Sequence, residues 1–168
     1  MGANLPGPAG TPQETLSLAL SELDRESVRI LSLSRWYRST PVPKSDQPDF
    51  INGVARVETE LGPEDLLAAL HRVEDRLGRV RSVANAARCL DLDLIDYSGM
   101  VMDGPPILPH PRAADRLFVL EPLRDLAPNW RHPVTDLTLN QLISGLPPDP
   151  GLMPLEVEEG PPFFGGSV

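Results

Sequence analysis

The chain is predicted to fold as a single α+β domain of the ferredoxin-like βαββαβ type, with its opening strand missing. Three observations carry that expectation. The recognisable elements run helix, strand, strand, helix, strand. The helices have readable start signals, and the strands show period-two alternation between turn-rich segments. At 168 residues the chain is long enough to bury a core without disulfides or structural metals.

Taken in order, Thr11-Pro12-Gln13-Glu14 is a capping box with proline at the first helical position. Leu16, Ala19, Leu20 and Leu23 then recur at helical spacing, so a helix is expected over Pro12 to Asp24. Val28 to Tyr37 and Phe50 to Thr59 each alternate apolar with polar residues, and the turn-rich TPVPKSDQPD stretch joins them as two strands with a long loop. Gly62-Pro63 opens a second helix whose Leu66, Leu70, Val73 and Leu77 form one apolar stripe, and Gly78 is placed to end it.

Leu90 to Ile95 reads as a strand, and Ile107 to Pro111 as a proline-bounded loop. Leu117 to Asp125 is an apolar element whose type the pattern leaves open, and Leu139 to Ser144 is a short helix behind Thr138. From Pro147 onward proline, glycine and glutamate dominate, leaving at most an edge strand over Leu152 to Val157. The expected organisation is one domain over residues 1–146 and a tail over 147–168. No internal repeat is visible.

A formal charge of -9 disfavours general nucleic-acid binding. No stretch approaches the roughly 18 apolar residues of a membrane span. Cys89 is the single cysteine, which excludes an intramolecular disulfide. The start MGANLPGPAG has neither the basic opening nor the apolar run of a signal peptide. Met1-Gly2 is followed by Pro6 where a myristoylation signal wants Ser or Thr. A cytoplasmic protein is therefore expected. Lys44 is the only lysine among fifteen basic residues, a surplus of arginine that fits either phosphate recognition or GC-rich coding.

Asp91 and Asp93 alternate with Leu90, Leu92 and Leu94, which places both carboxylates on one face of a strand. That pair could hold magnesium against a polyphosphate, because magnesium keeps several waters and needs only one or two protein carboxylates. It could equally be the solvent face of an amphipathic strand. Arg79, Arg81 and Arg88 precede the pair, and His110, Arg112 and Arg116 follow it. Singly these are ordinary surface residues; grouped around an acidic strand they are what an anionic triphosphate requires. Pro109 and Pro111 restrict the backbone around His110.

Six motifs in one order resemble the 6-hydroxymethyl-7,8-dihydropterin pyrophosphokinases of folate biosynthesis. They are Gly2-Ala3-Asn4-Leu5, Tyr37-Arg38-Ser39-Thr40-Pro41-Val42, and Asp46-Gln47-Pro48-Asp49-Phe50-Ile51-Asn52. Glu74 with Gly78-Arg79-Val80-Arg81, Arg88-Cys89-Leu90-Asp91-Leu92-Asp93, and Leu108-Pro109-His110-Pro111 with Arg116 and Phe118 complete the set. The resemblance spans about Gly2 to Leu146. It implies a ferredoxin-like fold in which Asp91 and Asp93 bind two Mg2+ ions bridging ATP, the co-substrate, and the pterin hydroxyl.

The resemblance further implies that Arg81, Arg88, His110 and Arg116 surround the triphosphate, with His71, Arg79 and Arg112 as further ATP contacts. Arg81 and Arg88, with the two aspartates, are the expected catalytic set. Phe50 and Phe118 match the aromatics that sandwich the pterin, Asn52 the amide that reads its polar edge, and Ser39, Thr40 and Val42 its neighbouring contacts. Without the resemblance both phenylalanines read as core. Partners are then ATP and 6-hydroxymethyl-7,8-dihydropterin, with no nucleic acid and no membrane, and a monomer is expected.

Two departures stand out. The family usually carries Trp-Gly-Pro in an ATP-closing loop just before the arginine matching Arg88, whereas Asn85-Ala86-Ala87 stands there in a segment one residue shorter. This keeps open a non-catalytic pterin- or nucleotide-binding relative. The family's first strand precedes its Gly-Ser-Asn-Leu, so a strand is expected ahead of Gly2 and the start is expected to be misplaced or truncated. Cys89 reads as a small buried residue with no partner base.

Overall fold

The structure, a computed structural model, describes residues 1–79 and 87–156. It is α+β with a mainly antiparallel sheet. Helix α1 spans Pro12–Asp24, as its sequence dictates. The Thr11 hydroxyl accepts from the Glu14 N–H at 3.3 Å while the Glu14 carboxylate accepts from the Thr11 N–H at 2.7 Å. Both ends of the box are closed, so the helix starts at a defined residue. Helix α2 spans Pro63–Arg76, and Gly78 follows it with φ +80, a conformation that lets the chain turn sharply towards Arg79.

The two strands expected over 28–37 and 50–59 are each broken in two. Arg29–Leu33 (β2) pairs with Ala55–Glu58 (β5), while Tyr37–Ser39 (β3) pairs with Phe50–Asn52 (β4) in a different sheet. The break has a local cause. The Ser34 hydroxyl takes the Val54 N–H at 3.0 Å, and the Trp36 ring lies over Gly53 so closely that a Cβ there would come within 2.6 Å of it. Alternation in the sequence cannot show a side chain inserted into the ladder.

The main sheet runs β1-β4-β3-β6, where β1 is Gly2–Ala3 and β6 is Met153–Pro154. Strand β1 lies between β4 and Asp91, to which Gly2 is bridged by reciprocal hydrogen bonds of 2.9 and 2.8 Å. The strand expected over Leu90 to Ile95 is thereby corrected. Its alternation survives, with Leu90 and Leu92 buried and Asp93 exposed, but among the described residues only Asp91 of this segment has a bridge partner. On this side β1 is bridged at Gly2, while Met1 exchanges hydrogen bonds with Gly53 on the other, and a groove of about 450 Å3 lies between β5 and residues 92–96. Val57, Leu66, Leu70, Leu94 and Trp130 are among its lining residues.

The undecided element is helix α3, Leu117–Leu126, with Pro122 inside it; α4 is Leu139–Ser144 behind Thr138 as expected, and Gln141 closes a capping box with Thr138. The core joins the apolar faces of α1 and α2 to Ile51, Leu90 and Leu92. A second cluster, Leu120, Leu123 and Leu139, ties α3 to α4. Among the described residues no helix is long and apolar enough to cross a membrane.

Candidate active site

A cavity of about 710 Å3 opens where the exposed face of residues 91–93 meets β3, β4 and the start of α3. Its position follows from the sheet. Gly2 is bridged to Asp91 on one side and pairs with Asn52 on the other, and a Cβ at Gly2 would come within 2.9 Å of the Asn52 Oδ1. Only a residue without a side chain brings the acidic segment and the buried amide this close.

Asp91 is held at both oxygens. Its Oδ1 lies 2.8 Å from the Arg79 guanidinium and its Oδ2 lies 2.8 Å from that of Arg88. Each arginine is itself anchored. Arg79 also pairs closely with the carboxylate of Glu74, whose side chain is fully buried. The same Glu74 oxygen accepts the Leu92 N–H at 2.7 Å, so one buried acid fixes both the arginine and the backbone between the two aspartates. Burial raises the Glu74 pKa, against the lowering effect of the Leu92 N–H and Arg79. The Arg88 backbone is pinned by buried Asn4: its N–H donates to Asn4 Oδ1 at 2.9 Å and its carbonyl accepts the Asn4 N–H at 3.0 Å.

Asp93 is more open, with a side chain 39 % exposed and the His110 Nε2 at 4.0 Å from its Oδ1. His110 is oriented from behind. Its N–H donates to the Ile95 carbonyl at 2.8 Å, and its Nδ1 accepts the Arg112 N–H at 3.2 Å. Nδ1 being an acceptor, a neutral ring carries its proton on Nε2, facing Asp93 and the cavity. Burial lowers the His110 pKa; Asp93 opposes the shift and Arg116 and Arg112 reinforce it. The Arg116 pKa is lowered too, by burial and then by the charge of Arg112. Cations crowded enough to depress one another make a site suited to a polyanion. The Arg116 guanidinium stands 5.5 Å from the centre of the Phe118 ring.

The part of the cavity built on β3 and β4 carries Ser39, Phe50 and Asn52, and Thr40, Val42 and Phe118 also line it. The Asn52 amide donates to the Ser39 hydroxyl at 2.8 Å, and both residues are buried on paired strands. Thus Arg79, Arg88, Asp91, Asp93, Arg112 and Arg116, with all six of these residues, line one cavity. His110 reaches it through Asp93, whereas His71, half-buried on α2, is not part of its lining. Arg81, and with it Asn85 and Ala86 of the altered loop, lie outside the described residues. The sequence reading missed Ile95, Asp115, Leu117, Val119 and residues 146–149, which also line the cavity. Nothing in the pattern of 146–149 beyond its paired prolines could have pointed there.

Among the described residues no cluster of three or more His, Cys, Asp or Glu side chains could hold a metal ion by itself. Two carboxylates on one face nevertheless fit magnesium arriving with a nucleotide, because phosphate oxygens and water complete its six ligands. The donor set therefore suits a magnesium–nucleotide complex rather than a resident metal.

Residues 1–128 match the family model for 7,8-dihydro-6-hydroxymethylpterin-pyrophosphokinase. The chain is similar to the 2-amino-4-hydroxy-6-hydroxymethyldihydropteridine pyrophosphokinase of Pseudomonas aeruginosa, 41% identical over 135 residues, which are 79% of this chain and 81% of that one. The corresponding enzyme of Haemophilus influenzae is 38% identical over 129 residues, 76% of this chain and 78% of that one. The folic acid synthesis protein of Pneumocystis carinii is 39% identical over 122 residues; these are 72% of this chain but only 16% of that longer protein. The chain belongs to the 7,8-dihydro-6-hydroxymethylpterin-pyrophosphokinase family, whose members transfer pyrophosphate from ATP to the pterin alcohol in folate synthesis.

Proposed function

We propose that this chain catalyses the reaction of its family, transferring the β,γ-pyrophosphoryl group of ATP to 6-hydroxymethyl-7,8-dihydropterin and releasing AMP. The observation that supports this reading is that Asp91 and Asp93 line one cavity together with Arg79, Arg88, Arg112 and Arg116 and with Phe50, Asn52 and Phe118. Cations and aromatic rings around two acids are the groups that a phosphate chain and a flat alcohol would each need.

In the proposed reaction the pterin hydroxyl oxygen bonds to the β-phosphorus as the bond from that phosphorus to the α-β bridging oxygen breaks. AMP departs with that oxygen, and the hydroxyl proton passes to solvent or phosphate. Magnesium, two ions in this proposal, supplies charge neutralisation when bound, and Asp91 and Asp93 would hold it. Arg88, Arg112 and Arg116, with Arg81, offset charge on the phosphates, and His110 donates through Nε2. Phe50 and Phe118 cover the two pterin faces, and Asn52 reads its edge. Catalysis is then positioning and electrostatics, with no covalent enzyme intermediate.

The finer architecture belongs to the same proposal. The groove of about 450 Å3 between β5 and residues 92–96, lined in part by Val57, Leu66, Leu70, Leu94 and Trp130, supports a strand position there. A strand there, continuing β1, would complete a ferredoxin-like sheet over residues 1–146. A monomer acting in the cytoplasm completes the proposal.

Phosphorus NMR of a reaction with Mg-ATP and the pterin tests it. AMP and a pterin diphosphate are expected in equal amounts. ADP with a pterin monophosphate, or no pterin-dependent consumption of ATP, would overturn the reading.

A further inference from the structure

Residues 147–151 were expected to belong to a tail, yet Pro147, Pro148 and Asp149 line the cavity beside Ser39 and Thr40. Their position is fixed from both sides. After them the chain returns along β3, pairing Met153 with Arg38 and Pro154 with Tyr37, and the Leu155 N–H donates to the Trp36 carbonyl at 2.8 Å. Between lies a tight turn. The Leu152 N–H donates to the Asp149 carbonyl at 3.1 Å and the Gly151 N–H to the Asp149 Oδ1 at 2.9 Å.

Gly151 lets that turn press on the cavity wall. A Cβ on it would lie 2.9 Å from the Thr40 Cγ2, 3.0 Å from the Thr40 Oγ1 and 3.3 Å from the Asp149 Oδ1. The Asp149 carboxylate thus belongs to the turn that packs on Thr40, in the cavity that Phe50 and Asn52 also line. Pro147 and Pro148 stiffen its approach.

Such a carboxylate cannot serve the triphosphate, which it would repel. It suits a ligand edge rich in N–H donors. The aminopyrimidinone ring of a pterin presents such an edge, an amino group and an adjacent ring N–H side by side. One N–H of the Asn52 amide is used on the Ser39 hydroxyl, and the Asp149 carboxylate adds an acceptor to the same cavity. An ionised carboxylate oxygen can accept more than one hydrogen bond, so the bond from Gly151 does not exhaust Asp149.

We propose that residues 147–151 form a substrate-facing wall on which Asp149 accepts hydrogen bonds from the aminopyrimidinone edge, making it a specificity-determining residue. This rests on the proposed function, since it assigns the ligand of the same cavity.

The test uses the full chain and calorimetric titration with 6-hydroxymethylpterin in the presence of magnesium and α,β-methylene-ATP. A matching titration uses the analogue bearing a 2-oxo group in place of the 2-amino group. Asp149→Asn keeps an acceptor for the Gly151 N–H and removes only the charge. It is expected to weaken pterin binding about ten-fold, the size of a charge-assisted hydrogen bond, and to shrink discrimination against the analogue while nucleotide affinity stays put. Gly151→Ala, which pushes the turn off Thr40, is expected to weaken pterin binding with the charge intact. Asp149→Asn binding pterin and analogue as the parent does would overturn the proposal, with the turn left as the residue's whole role. Failure of the parent chain itself to bind pterin would instead break the reading of the cavity, and this assignment with it.

Discussion

The two ends of the cavity are built differently. The end holding Ser39 and Asn52 stands on β3 and β4, paired residue for residue, with the polar side chains buried and bonded to each other. The acidic end stands on an extended segment with a single backbone bridge, at Asp91, and its order comes from ion pairs with Arg79 and Arg88. A flat ring with fixed donors is best read by groups that cannot move. A triphosphate and its metal ions are best met by charges that can exchange partners. Asp91 pairs with Arg79 and Arg88 in the described structure, and under the proposed function a metal held by Asp91 would leave Arg88 available to phosphate oxygens.

The sharpest way to break this contrast is at the aspartates. Asp93→Ala is expected to lower turnover on the order of 1,000-fold with little change in thermal midpoint, since Asp93 is exposed and its ion-pair partner among the described residues is His110, at 4.0 Å. Asp91→Ala should lose as much turnover and also stability, because Arg79 and Arg88 lose a shared partner. Equal thermal midpoints for the two variants in calorimetry would contradict the distinction.

The strand-built end offers the next largest effect. Asn52→Ala removes a buried amide bonded to Ser39, and pterin binding is expected to weaken roughly 10- to 100-fold, with Mg-ATP affinity held within about two-fold. A parallel loss of nucleotide affinity, read by titration of each ligand alone, would mean that the two ends are not independent.

A smaller effect is expected behind the cavity, where Asp125 of α3 takes hydrogen bonds from the Arg35 guanidinium at 2.8 Å and the Tyr37 hydroxyl at 3.1 Å. This pairing ties α3, which carries Phe118, to β3. Burial would raise the Asp125 pKa, but the bonds from Arg35 and Tyr37 outweigh it and hold the carboxyl below its usual 3.8. With the folded pKa depressed, the stabilisation is present above the unfolded value and is lost as pH falls through the folded one. Asp125→Ala is expected to cost about 1–2 kcal/mol at neutral pH, discounted for the half-exposed Arg35, and to flatten the acid limb of stability against pH. An unchanged acid limb in denaturant titrations would show that another carboxyl sets it.

Elements with a local signature were readable in the sequence. The capping box at Thr11 and the start signal at Thr138 placed α1 and α4 at their observed bounds, and the stripe from Leu66 to Leu77 placed α2. Elements decided by distant partners were not. The split of each long strand depends on Ser34 and Trp36 meeting residues 53–54 across the hairpin, which alternation cannot encode. Residues 90–95 kept their alternation but not their ladder, because pairing depends on what lies alongside.

The candidate site follows the same division. Asp91, Asp93 and their arginines were visible as charges in a recurring order, whereas residues 146–149 enter the cavity only through β6 returning to β3. Nothing local in a Pro/Gly-rich segment reports that.

The most direct test of the two-ended cavity as a pyrophosphokinase site is pterin-dependent AMP release from Mg-ATP, followed across a magnesium titration for the parent chain and for Asp93→Asn. The parent should release AMP only with pterin present. The variant should stay on the order of 1,000-fold slower at every magnesium concentration, while still binding pterin. A variant that matches the parent at saturating magnesium would contradict the central place given to Asp93, and AMP release indifferent to pterin would contradict the joining of the two ends.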